Sequence, residues 1–211
     1  MIDHTRTDRY SQGMARTPDP IKRAELLRGV VAYLESHGVN DMSLAPMAEA
    51  LGTSKRMLLY YFGDRGELLA QALDASRPRV GEIFRDVATE DEFREAARSL
   101  WHGLTRGDQR HSVRMLLQVL SLASTDPETY GPYARTAVEV MLDPISEALV
   151  SMGYGRRDAY VRATLVVSGL RGLCQDVLVT GQESRVDAAA ELLIATVPGS
   201  AAPRKGEGGK R

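Results

Sequence analysis

Apolar residues recurring three and four apart along almost the whole chain predict an all-α protein of about nine helices. They divide into an N-terminal three-helix unit with a helix-turn-helix and a larger helical unit after it. Two further observations agree. Only three phenylalanines and one tryptophan occur in 211 residues, and no stretch sustains the period-two alternation of a half-buried strand. Residues that cap and break helices fall between the apolar stripes.

The first helix takes Asp19 as its N-cap and Pro20 at its first position. Leu27, Val30, Val31 and Leu34 mark one face, and His37-Gly38 supply a last-turn cation and a stop. A short second helix starts at Ser43, with Leu44, Met47, Ala48 and Leu51 as its core stripe and Pro46 in the first turn, where a missing N–H costs nothing. Gly52 closes it, and Thr53-Ser54 cap a third helix over roughly 55–61. Two short helices joined through a glycine turn make a helix-turn-helix. Leu58 and Phe62, four apart, anchor the third helix, while Lys55, Arg56, Leu59 and Tyr60 point elsewhere. Asp64 and Glu67 resemble a capping box opening a fourth helix, which is expected to run through Leu68, Leu69, Ala72 and Leu73 and onwards past Pro78, which would kink or break it. Five more helices are expected near 91–105, 110–123, 131–152, 157–180 and 185–197, separated by "TRGDQR", "STDPETYGP", "GYGRR" and "TGQES". Residues 1–17 and the Gly/Pro/charge-rich 198–211 are expected to be disordered.

The formal net charge of -1 gives no global attraction to a polyanion, so any such site must be a local patch. Residues 80–197 hold 12 Lys+Arg against 17 Asp+Glu, whereas "GTSKRMLLYYFGDR", 52–65, sets three cations against one acid. A solvated face accounts for that charge as readily as a binding site does. Position separates the two readings. The second helix of a helix-turn-helix enters the DNA major groove with its first residues at base edges. Lys55 and Arg56 occupy that first turn, where the helix N-terminus also favours an anion. Tyr60, Tyr61, Arg65 and the Ser43 hydroxyl are placed to reach phosphates, contacts that position the protein while base contacts specify the site.

Residues 20–69 resemble the DNA-binding domain of the tetracycline-repressor (TetR) family of bacterial transcriptional regulators. The likeness rests on the apolar first helix, "SLAPMAEALGTSK" and "LLYYFGDRGELL". The chain departs from the usual family pattern at Thr53, Arg56, Leu59, Tyr61 and Arg65, and carries Ala45 where some members have a base-reading residue. The resemblance implies a DNA-binding domain over 18–65 that uses Ser43, Thr53, Ser54, Lys55, Arg56, Tyr60, Tyr61 and Arg65. It also implies an effector-binding and dimerisation domain over 66–197, and a homodimer that represses from a palindromic double-stranded operator until a small effector releases it.

Dimerisation also has support from the residues. The segment 160–179 is apolar on more than one face, and Ser168, Gly169 and Gly172 permit close helix approach; the last helix adds Val186, Ala189 and Leu193. A central helix with tolerated glycines is the plainer reading. Candidate effector contacts are Trp101, Leu104, Met115, Val119, Leu122, Met141, Arg171 and Gln175, each of which plain core or interface packing explains as well.

Enzyme readings find little. The four histidines lack ligand spacing, Cys174 has no evident base, and no phosphate loop occurs, so no catalysis, metal or cofactor is expected. Without an apolar leader or a run long enough to span a bilayer, a cytoplasmic protein is expected. Residues 1–13 read either as a mis-assigned start before Met14 or as an arginine-bearing arm near the phosphates. The alternative readings of function are a helical small-ligand-binding protein without operator binding and a module whose 52–65 surface meets an acidic protein.

Overall fold

The computed structural model describes residues 19–39, 42–107 and 109–199, and among them the regular structure is helical throughout. The elements are α1 (Pro20–His37), α2 (Leu44–Ala50), α3 (Lys55–Phe62), α4 (Arg65–Ala75), α5 (Val80–Ile83), α6 (Glu90–Thr105), α7 (Arg110–Thr125), α8 (Pro127–Ser151), α9 (Arg156–Thr180) and α10 (Glu183–Thr196). The expected nine helices are present, and α5 is an added single turn.

Local chemistry sets the ends. Asp19 Oδ1 accepts from Ile21 N at 2.9 Å, Ser54 Oγ from Met57 N at 3.2 Å, and the Asp64–Glu67 capping box is complete. Gly63 is obligatory before that box. Its φ of +84° belongs to the left-handed region, and a Cβ there would fall 1.5 Å from Glu67 Oε2. Three boundaries differ from expectation. The helix α4 ends at Ala75, so Pro78 follows a break instead of kinking a longer helix. The helix α8 begins at Pro127, with Asp126 accepting from Thr129 N at 3.2 Å, so Pro132 lies inside it. Pro198 is buried, and the Tyr154 hydroxyl donates to Gly199 O, which attaches the first two residues of the expected tail to the bundle. The remainder of the segments expected to be disordered, 1–17 and 200–211, lies outside the described residues.

Two apolar cores result. The first joins Leu26, Val30 and Leu34 of α1 to Met47, Leu58, Phe62, Leu68, Leu69 and Ala72. The α1 face therefore centres on Leu26, Val30 and Leu34, with Leu27 and Val31 at its margin. Packing places α4 with the helix-turn-helix, so this core extends beyond the expected boundary at 65 and takes Met115 and Val119 from α7 as well. The second core gathers α5, α6, α8, α9 and α10 around Phe93, Leu100, Trp101, Ile145, Val166, Leu170 and Val186. The helix α7 serves both. Gln118 Oε1 accepts from Val39 N at 2.9 Å, and Ser112 Oγ donates to Glu35 at 2.9 Å.

Of the described helices, α9 is long and apolar enough to span a bilayer by length and composition, with a mean hydropathy of 1.2, contrary to expectation. Its inner face, Ala163, Val166, Val167, Leu170 and Cys174, is buried in the second core, while Val161, Leu165 and Val179 on its outer face are exposed.

Candidate nucleic-acid interface

The surface of α3 is divided by period. Leu58 and Phe62 are buried one turn apart, and Lys55, Arg56, Met57 and Tyr60 are exposed. Burial of Leu58 and Phe62 presses α3 onto α2 and α4 and turns the opposite side outward. A polar chain fixes that pose. The Arg23 guanidinium lies 5.5 Å from the centroid of the Phe62 ring and donates to Gln71 Oε1, whose Nε2 donates to Phe62 O at 3.2 Å.

The turn into α3 is equally determined. Thr53 N bonds Ala48 O at 2.9 Å and Gly52 N bonds Glu49 O at 3.0 Å, with Gly52 at φ +60°. Ser54 is committed to capping α3, so it orients the first turn, while Thr53 is half-buried in the bend. Ser43 caps α2 by position and is exposed, with its hydroxyl making no capping bond. Tyr60 is 48% exposed, and its ring meets Tyr61 edge-on at 5.2 Å, leaving Tyr61 half-buried as a support. Arg65 opens α4 just past the Gly63 turn and is exposed. Among the described residues, Lys55, Arg56 and Arg65 take part in no salt bridge, while ten pairs occupy other cations.

Seven of the eight residues predicted to hold DNA therefore sit on one continuous stretch, from the turn before α3 to the first residue of α4, and Ser43 stands apart at the start of α2. Three residues that sequence reasoning passed over belong with them. Met57, 38% exposed, shares the outer face with Arg56 and Tyr60, and its spacing of three from Tyr60 was the available signal. Arg23 and Gln71 act from beneath, through Phe62, and no local pattern reveals a contact between residues so far apart in sequence.

The predicted effector contacts do not converge. Trp101 and Leu104 line a cleft among α6, α7, α9 and α10, and Met141 lines a second one where α4 meets α7 and α8. Met115, Val119 and the half-buried Leu122 belong to the first core. Gln175 is exposed, and Arg171 donates to Ser168 Oγ at 3.2 Å. The Trp101 indole N–H donates to Asp187 Oδ1 at 2.9 Å, and the Arg106 guanidinium pairs with the same carboxylate. Arg106, then Trp101, hold the Asp187 carboxyl below the usual range. Burial pushes the Cys174 thiol at the cleft wall up to about 12, which keeps it protonated and unreactive.

The predicted dimer residues separate in the same way. Ser168 and Gly172 face outward, whereas Val186 is fully buried in its own core. A Cβ on Gly169 would lie 2.4 Å from Leu193 Cδ2, so these two belong to the contact between α9 and α10, and Ala189 is half-buried. No group of three or more His, Cys, Asp or Glu among the described residues is arranged to hold a metal.

No protein-family model matches the sequence, and neither does any curated protein. Solved structures match with low identity. A TetR transcriptional regulator from Legionella pneumophila superposes with a TM-score of 0.66 at 14% identity, covering 86% of this chain and 98% of that one. A transcriptional regulator from Rhodococcus sp. RHA1 gives 0.67 at 17%, covering 83% and 95%. The multidrug binding protein EbrR complexed with proflavin gives 0.58 at 20%, covering 82% and 98%. The chain has the fold of the TetR-family regulators.

Proposed function

We propose that the protein is a cytoplasmic DNA-binding transcriptional regulator, a homodimeric repressor that holds a near-palindromic operator and leaves it when a small, largely apolar effector binds. The observation that carries this reading is the outward set Lys55, Arg56, Tyr60 and Arg65 around the second helix of a helix-turn-helix, with none of the three cations paired to a carboxylate among the described residues. Lys55 and Arg56 meet base edges or phosphates. Tyr60, Tyr61 and Arg65 hold the backbone, and the shared fold of regulators adds support.

The release step has a physical basis in the two clefts. Their cavity volumes are about 10 and about 30 Å³, room for a water molecule or two and far less than an effector needs. An effector held in either cleft therefore binds a more open arrangement than this one, and it displaces DNA by its preference for that arrangement. The α4 helix couples the two events, since its first turn follows α3 and its last turn walls one cleft.

Selection of bound sites from random duplex DNA tests the reading, followed by salt titration of binding to the selected site. The expected result is a two-fold symmetric site whose log affinity falls linearly with log salt. Replacing Lys55, Arg56 and Tyr60 together by alanine should abolish binding with the circular dichroism spectrum unchanged. Undiminished affinity in that folded variant ends the assignment. Absence of any salt-dependent duplex binding by the wild type favours the helical ligand-binding protein, to which the clefts and the likeness to EbrR lend support.

A further inference from the structure

The effector reading leaves the chemical class open, and the inference that follows rests on that reading. Where the end of α4 meets α7 and α8, a cleft is walled by Leu73, Leu116, Val140 and Met141, and its polar residues are Ser76, Arg77 and Ser112. The two hydroxyls are already donating, Ser76 to Leu73 O at 3.1 Å and Ser112 to Glu35 at 2.9 Å. Arg77 is different. Its Nη1 pairs with the exposed Asp74 at 2.9 Å, but its Nε is buried with no hydrogen-bond partner. A buried donor is almost always paired, so this one calls for an acceptor. The first turn of α7, which carries Ser112 and Val113 on the cleft wall, adds the positive end of a helix.

We propose that this cleft, in the more open arrangement an effector selects, takes a small apolar carboxylate, with its alkyl or aryl tail among Leu73, Leu116 and Met141 and its carboxylate on Arg77 Nε. The charge-assisted bond is the strong form of the contact a guanidinium makes, which favours a carboxylate over a neutral acceptor, and a cationic ligand would meet Arg77 with like charge. Arg77 stands two residues beyond the last residue of α4, so pairing there and wedging of the tail both act on the helix that follows α3.

The test titrates the full chain with octanoate, and with 1-octanol, methyl octanoate and octylamine as matched probes, by calorimetry and thermal shift. Octanoate should bind saturably and raise the melting temperature, and each matched probe should bind at least about tenfold more weakly. Arg77→Met should lose about tenfold or more in octanoate affinity, and Arg77→Lys, which keeps the charge without Nε, should not restore it. Met141→Trp should block binding by bulk while helix content is retained. The wild-type comparison stands even if a variant folds poorly. Equal binding of methyl octanoate or octanol overturns the proposal, as does undiminished binding by folded Arg77→Met, or no saturable binding of octanoate, decanoate and phenylacetate. Release of the selected DNA site separates the two layers. Octanoate that binds through Arg77 without releasing DNA keeps the carboxylate site and overturns the effector reading. A neutral apolar compound that releases DNA equally from wild type and Arg77→Met does the reverse.

Discussion

Arg56 and Arg65 carry the same charge on the same surface, yet the proposed DNA complex would give them different work. Arg56 lies in the first turn of α3, on the side turned from Leu58 and Phe62, where a guanidinium reaches base edges once the helix enters a groove. Arg65 lies past the Gly63 turn at the start of α4, where the proposed complex would bring the backbone of the same strand. Arg56→Ala should therefore cost about 1–3 kcal/mol at the selected site and relax preference at one base pair. Arg65→Ala should weaken all duplexes alike and reduce the salt slope by about one. Binding measured at several salt concentrations on matched and mismatched duplexes distinguishes them, and a uniform loss for Arg56→Ala would reassign it to the backbone. The cations were legible because charge on a short helix has no use in a core. Met57 was not, because an apolar residue on a helix reads as core until its face is seen to be exposed.

Helix ends were legible wherever a cap and the following residue acted together. The Asp19-Pro20 pair predicted the start of α1, and Asp126-Pro127 starts α8 in the same way. The second pair is obscured in the sequence because Gly131-Pro132 downstream reads as a breaker, although one proline near the start of a 25-residue helix gives up a single backbone bond. Contacts between helices are beyond local patterns, and the clamp between α6 and α10 is the case with a measurable consequence. Arg98 pairs with Glu191 at 2.9 Å, and Asp187 accepts from Arg106 and Trp101. The Asp187 carboxyl is held below its usual range, so its contribution is present above about pH 3.9, the unfolded value, and is lost as pH falls through the folded one. Asp187→Asn keeps the shape and removes the charge. With a third of the side chain exposed, the loss at pH 7 should be modest, about 2–4 °C in Tm. The gap to wild type should close below about pH 4 in calorimetric scans. A gap that persists at low pH would assign the effect to packing at Trp101.

At the scale of the whole molecule, sequence periodicity recognised that α9 is apolar on two faces but could not say which residues turn inward. Packing divides them. Gly169 and Val186 serve the subunit's own core, while Val161, Leu165 and Val179 on α9 and Leu192 on α10 are 53–80% exposed. Such an apolar stripe is costly in water, and it runs beside Ser168 and Gly172, which are small enough to permit close approach. A two-fold contact through α9 and α10 would bury it, and would present two α3 helices to half-sites about 34–36 Å apart. Gly172 offers a clean test, because a Cβ there meets nothing within 4 Å in its own chain. Gly172→Arg should leave the subunit folded, and arginine is the better helix former by somewhat under 1 kcal/mol. At a symmetric contact the same change buries an unpaired charge from each subunit, at a cost of several kcal/mol. The variant should sediment as a monomer with unchanged helix content, and operator affinity should fall by about 10²–10⁴ because the second half-site is no longer tethered. A Gly172→Arg protein that remains dimeric would place the contact on another face. A wild-type protein that occupies its operator as a monomer would remove the two-fold arrangement, and with it the reason for a palindrome.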